Sequence, residues 1–135
     1  MVSWEWAVGR LEAARNYWLA TTRADGSPHA MPVWGLWLDG VVLFSTAPDS
    51  IKARNFGRDP RAVMHVADGE DIVILEGEVD DGALDDVTAD LYAAKYDYRP
   101  EPSGSANEGW YRFRLRGALA WGQDFPRSVT RFSFD

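Results

Sequence analysis

The chain contains no cysteine in its 135 residues. Disulfides and thiolate-held metal sites are excluded, and a cytoplasmic setting is expected. Imidazole is nearly as scarce: His29 and His65 are the only two histidines, too few for a histidine-built metal centre. Positive charge is in deficit, with 14 Lys and Arg against 21 Asp and Glu and a net charge of −7. A chain without a basic run has little with which to neutralise a phosphate backbone, so nucleic acid is not an expected partner. No apolar run approaches the roughly 18 residues that cross a bilayer, so no membrane partner is expected. The N-terminus carries Glu5 and no long apolar core, which is unlike a signal peptide. Spacing reveals no Ser-His-Asp set, no paired catalytic carboxylates and no glycine-rich phosphate loop.

What the chain has in quantity is aromatic surface: seven tryptophans, five tyrosines and six phenylalanines. Each buries a large area and needs a wall to pack on, in a core, against a cofactor ring or at a subunit interface. At 46% hydrophobic and 26% charged, residues 1–135 read as a single globular domain.

Apolar residues at helical spacing (Trp4, Ala7, Val8, Leu11, Ala14) predict a helix from Ser3 to about Arg15, with Ser3 as N-cap. Strands follow at Tyr17–Arg23 and Pro28–Leu38, joined by a turn at Asp25-Gly26. Pro28 and Pro32 mark the second strand as an edge or a bulged one, because proline cannot donate to a ladder. A hairpin at Asp39-Gly40 leads to a strand over Val41–Thr46. A short helix over Ser50–Gly57 ends in glycine, with Asp59-Pro60 beyond it. Strands at Arg61–Ala67 and Asp71–Val79 precede a second amphipathic helix, Asp81 to about Tyr98, with Leu84, Val87, Leu91 and Ala94 on one side. Arg99–Glu108, rich in Pro, Gly and Ser, reads as a loop. Strands at Trp110–Trp121 and Ser128–Phe134 close the chain. Tightly spaced strands without βαβ alternation predict a mainly β, antiparallel barrel rather than a Rossmann fold.

The strongest local signal is Phe44-Ser45-Thr46-Ala47-Pro48-Asp49-Ser50-Ile51-Lys52, where a strand runs through a polar turn into a helix. Ser45, Thr46 and Ser50 supply hydroxyls, and Lys52 supplies an ammonium beside the free N–H groups and positive dipole end of the helix. That combination suits a phosphate. The alternative is a plain N-cap at Ser50 and a solvated Lys52. Arg54, Arg58 and Arg61 extend the cationic cluster, or else form a solvated helix face. Pro32-Val33-Trp34-Gly35 interrupts a ladder and can offer free backbone groups to a planar ring, or can be an ordinary bulged edge. The strand from Val33 to Leu38 is apolar on both faces, as if covered once by a barrel interior and once by a subunit interface. His29, beside a proline, reads as exposed or capped; His65 reads as a core or interface histidine. The acids Glu70 to Asp81 read as a solvated edge. Arg131, on the aromatic strand Thr130-Arg131-Phe132, can reach a cofactor or stack on a neighbour.

Taken together, Leu19-Ala20-Thr21-Thr22, Asp25-Gly26-Ser27-Pro28-His29, Pro32-Val33-Trp34, Phe44-Ser45-Thr46, Ser50-x-Lys52-x-x-Asn55 and Asp59-Pro60-Arg61 resemble the pyridoxamine 5′-phosphate oxidase-like split-barrel family. The likeness is to its small members that use FMN or the deazaflavin F420, and it covers Tyr17 to Gly77 best. The resemblance implies a six- to seven-stranded antiparallel split β-barrel with two or three flanking helices. It also implies a homodimer with two cofactor sites at the subunit interface. Ser45, Thr46, Ser50 and Lys52 would hold the cofactor phosphate, and Asn55 belongs to the same motif. Pro32, Val33 and Trp34 would line the ring, and the partner's C-terminal strands, which carry Arg131, would complete the pocket. Ile51 stands where the oxidase proper has arginine, and Met31, Trp34 and Trp37 stand where it has basic residues. These departures argue against pyridoxamine phosphate as substrate and favour F420 over FMN.

The expected function is therefore hydride transfer between bound F420 or FMN and a small organic substrate, the cofactor supplying the chemistry. The runner-up is a carrier or sensor that binds a flavin, deazaflavin or haem-type ring without turnover. A dimeric barrel serving only as an interaction module is a third reading.

Overall fold

The two ends of the sheet are joined in the chain through a single residue. In the computed structural model, which describes residues 1–102 and 109–134, eight antiparallel strands form one sheet. They are β1 (Tyr17–Thr22), β2 (Pro28–Val33), β3 (Gly35–Trp37), β4 (Val41–Ser45), β5 (Arg61–Asp68), β6 (Asp71–Asp81), β7 (Trp110–Trp121) and β8 (Thr130–Ser133). Seven follow the order β2-β1-β5-β6-β7-β4-β3, and β8 pairs with the far half of β7. The two ends of that path, β2 and β3, are consecutive in the chain and separated only by Trp34. The sheet must therefore curl until its ends meet, which makes a mainly β half-barrel. The strand expected over Pro28–Leu38 breaks at this corner, which adds one strand to the count.

Gly35 permits the corner. A Cβ there would sit 2.9 Å from Val42 Cγ1 and 3.2 Å from the Leu43 carbonyl oxygen. A second irregularity lies between Glu76 and Gly77, where the β6–β7 register shifts. Any side chain at Gly77 would strike the Arg114 carbonyl, so the bulge requires glycine. The turn at Asp39-Gly40 has both residues at positive φ (49° and 95°), the geometry that suits Asp-Gly hairpins.

Three helices flank the sheet: α1 (Trp4–Ala13), α2 (Ile51–Arg58) and α3 (Asp86–Tyr96). Among the described residues no helix is long and apolar enough to cross a membrane. Ser3 caps α1 by accepting from the Trp6 N–H. The barrel interior holds Leu19, Phe44, Met64, Leu75 and Phe113, all fully buried. A second cluster outside it packs Leu36, Leu43 and Trp110 beneath α3. The strand expected to be apolar on both faces is thus covered by barrel core on one side and, at Leu36, by α3 of the same chain.

The inward face of α3 differs from the one expected. Ala89, Tyr92 and Tyr96 are buried, whereas Val87 and Leu91 remain 67% and 46% exposed. Both sets have helical spacing, and the tyrosines win because each buries more area and its hydroxyl can find partners. Tyr96 Oη accepts from the Gly35 N–H at 2.9 Å and has the carbonyls of Arg15 and Gly35 within 3.0 Å.

The acids of β6 also differ from expectation. They lie on a central strand and not at an edge, where alternation puts Glu76, Glu78 and Asp80 on one outward row. Arginines arriving from β7 and β8 meet them: Glu76 with Arg131, Glu78 with Arg116, and Asp80 with both Arg112 and Arg114. Partners roughly 30 to 55 positions away along the chain lie beyond any local pattern.

Candidate functional site

At the end of β4 the chain turns Phe44 into the core and leaves Ser45 exposed. Thr46 N–H donates to the Gly109 carbonyl at 3.0 Å, and Ser50 N–H closes the turn onto Ala47 O at 2.9 Å. Ser50 then caps α2. Its Oγ accepts from the Ala53 N–H (3.1 Å) and from Thr46 Oγ1 (3.0 Å). A hydroxyl that accepts twice keeps its own proton to give. Among the described residues, neither that proton nor the first-turn amides of Ile51 and Lys52 meets an acceptor. The Lys52 ammonium, half-buried, has no carboxylate within salt-bridge distance among them either. Ser50 therefore fulfils the capping alternative, with first-turn donors left unpaired among the described residues.

The other side of α2 is fastened down. Asn55, 4% exposed, donates from Nδ2 to Thr21 Oγ1 on β1 at 3.1 Å, so its amide joins helix to strand. Arg58 donates to the Thr22 carbonyl at 2.7 Å. Arg61 makes a two-pronged ion pair with Asp59, whose carboxyl that hydrogen bonding holds down at about 2. Of the local cations, Arg58 and Arg61 are engaged within the chain.

Ser45, Thr46, Ser50 and Lys52 thus come together at one entrance. Pro32, Val33 and Trp34 do not present one common wall: Val33 points into the core, Pro32 is exposed on the opposite face, and Trp34 forms the corner. Trp34 stacks on Tyr96 with ring centres 4.4 Å apart and planes within 8°, and the Arg15 guanidinium lies 5.1 Å from it. Arg131 is remote from the entrance within one chain. Ser45 pairs with Trp110, while Arg131 pairs with Leu119, nine residues further along β7. That is roughly 30 Å of strand at about 3.3 Å per residue.

One cluster has no counterpart in the sequence reading, and a second surrounds His29, expected to be exposed or capped and here partly buried. Lys95 Nζ donates to the Gly35 carbonyl (2.9 Å) and to Tyr17 Oη (3.2 Å), and lies over the Tyr17 and Tyr96 rings. Burial away from water pushes its ammonium down to about 8. Burial also raises Tyr17 and Tyr96. The second cluster is His29, which sits opposite Thr21 in the β1–β2 register, near Arg23 and Lys52. Desolvation first, then these two cations, lower its pKa.

The outward sheet face carries Trp18 stacked on His65 (6.4 Å, 9°) and the ion pairs of β6. A groove of about 730 Å³ runs over it between Pro28, Val63 and Arg116.

Fold and entrance together describe a curled half-barrel with a Ser50-capped helix start whose first-turn donors are unpaired among the described residues. The chain belongs to the pyridoxamine 5′-phosphate oxidase family, whose model matches residues 5–122. No curated protein matches it. Among solved structures it is similar to an F420 reductase, at 24% identity and a TM-score of 0.64, covering 82% of this chain and 93% of that one. A haem-binding protein from Mycobacterium smegmatis has 19% identity and a TM-score of 0.69, over 92% of this chain and 55% of that one. A protein of Clostridium acetobutylicum related to general stress protein 26 has 13% identity and a TM-score of 0.67, over 97% and 94%. Likeness at these identities extends to the fold.

Proposed function

We propose that this protein is an oxidoreductase that holds F420 or FMN at a homodimer interface and passes hydride to or from a small organic substrate. The observation that carries the reading is the donor set at the α2 entrance. Ser50 O–H, two first-turn amides and the Lys52 ammonium converge there with no acceptor among the described residues. Those donors match the anionic end of either cofactor. Ser45 and Thr46 flank the entrance, and Trp34, stiffened by Tyr96 and Arg15, offers an aromatic surface at the barrel corner. The cofactor, when bound, supplies the hydride chemistry. The chain supplies anchorage, ring orientation and partial exclusion of water.

The β7 register supports the dimer. If Lys52 and Arg131 serve one cofactor, they come from different protomers, since a single chain holds them at opposite ends of a strand. The outward face around Trp18, His65 and Val63 is the surface we assign to the partner, because it combines apolar rings with charges of both signs.

Titration of the purified protein with FMN and with F420, followed by absorbance and fluorescence, tests the reading. Lys52→Ala is expected to weaken binding by about 1–3 kcal/mol, the range for losing a charged hydrogen-bond partner. Unchanged affinity removes Lys52 from the site. Oxidation of the reduced cofactor by quinone or nitroaromatic acceptors distinguishes an enzyme from a ring carrier.

A further inference from the structure

We infer that His29 belongs to the anion site at the α2 entrance, and that its imidazole takes up a proton when an anion docks there. This rests on the reading of that entrance given above.

The placement follows from the strand register. His29 is the cross-strand partner of Thr21, so both lie on the same row of the sheet. Thr21 in turn receives Asn55, which stands one helical turn after Lys52. The imidazole therefore lies on the row of the sheet to which α2 is tied through Asn55, one turn after Lys52. Among the described residues its Nδ1 is enclosed and has no hydrogen-bond partner. A shielded, unpaired nitrogen costs free energy unless something from outside the chain completes it.

The charges around the ring explain the coupling. Arg23 reaches back across the hairpin to the Pro28 carbonyl at 2.8 Å, next to His29. Lys52 approaches from α2, and Arg58 lies on the neighbouring Thr22 carbonyl. Asp25, the acid of the hairpin turn, is held by Ser27 at 2.6 Å. A proton on His29 is thus opposed by Arg23 and Lys52. A docked anion offsets those cations and attracts the proton, and a protonated imidazole presents donors from both nitrogens. By linkage, whatever raises proton affinity on anion binding also raises anion affinity as pH falls.

Sulfate is the suitable probe, because it stays doubly charged from pH 5 to 8 and brings no titration of its own. With only two histidines in the chain, imidazole resonances are assigned by one variant, His29→Gln. We expect saturating sulfate to raise the His29 midpoint by about half a pH unit or more and leave His65 in place. Sulfate affinity should rise about twofold or more from pH 8 to 6, and the dependence should flatten in His29→Gln. Chloride at matched ionic strength separates binding from screening, and an equal shift in chloride overturns the inference. If FMN or F420 binds while the His29 midpoint stays fixed with sulfate, the inference fails and the cofactor reading stands. If neither cofactor nor sulfate binds, the cofactor reading itself fails and takes this inference with it.

Discussion

Lys95 makes the stability of this protein rise with pH over a window in which most proteins are flat or weakening. The ammonium is half-buried at the barrel corner, against two aromatic rings and without a carboxylate, so its folded value lies at about 8 against an ordinary 10.5. Between those values the unfolded chain keeps a proton that the folded chain has released. The unfolded state binds more protons, and stability therefore rises with pH. Full expression of the shift from pH 7.5 to 9.5 corresponds to about 1.8 kcal/mol, at about 1.36 kcal/mol per unit. The ammonium is only half-buried, and solvent screening reduces that to about 1 kcal/mol. Urea unfolding followed by tryptophan fluorescence should show the midpoint rising by roughly 0.5 M over this window. Lys95→Met should abolish the rise, and because other titrating groups are common to both proteins, the difference between the two curves isolates the lysine. Above about pH 10 the trend should reverse, since buried Tyr17 keeps a proton that the unfolded chain loses. Parallel curves for wild type and Lys95→Met between pH 7.5 and 9.5 would refute the reasoning.

The two faces of α3 give opposite expectations: Leu91→Ala should change stability by less than about 0.5 kcal/mol. Tyr92→Ala, at a buried aromatic, should cost about 3–5 kcal/mol by the same urea measurement. For the shared site, Lys52→Ala and Arg131→Ala homodimers should each bind FMN or F420 weakly. Unfolding and refolding the two together should restore tight binding to about half the sites in the mixed dimers; no recovery would place the two residues in separate roles.

The succession of strands along the chain and its turn chemistry were readable from composition and spacing, because Asp25-Gly26, Asp39-Gly40 and Asp59-Pro60 punctuate alternating apolar runs. The Ser45 to Lys52 segment was readable as a strand running through a polar turn into a Ser50-capped helix for the same local reason. What local pattern cannot carry is a choice between two equally periodic faces, as on α3. There the outcome depends on which side chains find hydroxyl partners and ring contacts across the molecule. Neither could spacing place Arg131 against Glu76, nor Lys95 beneath Gly35, since the first spans β7 between two strands and the second depends on how α3 packs on the sheet. Asn55 shows the converse: a polar residue within a recognisable motif whose amide faces inward and holds its helix to β1.

The prolines of β2 bear on how this molecule can associate. That strand ends the sheet, and its outer margin is open to any extended chain seeking a ladder. Proline at 28 and 32 fits β2 only if those positions face away from β1, where no donor is needed. Along that margin Ala30 alone then retains an amide to offer, and an incoming strand would find two gaps for every rung. Stacking edge to edge into fibrils is thereby discouraged, and copies of this protein are left to meet through side chains.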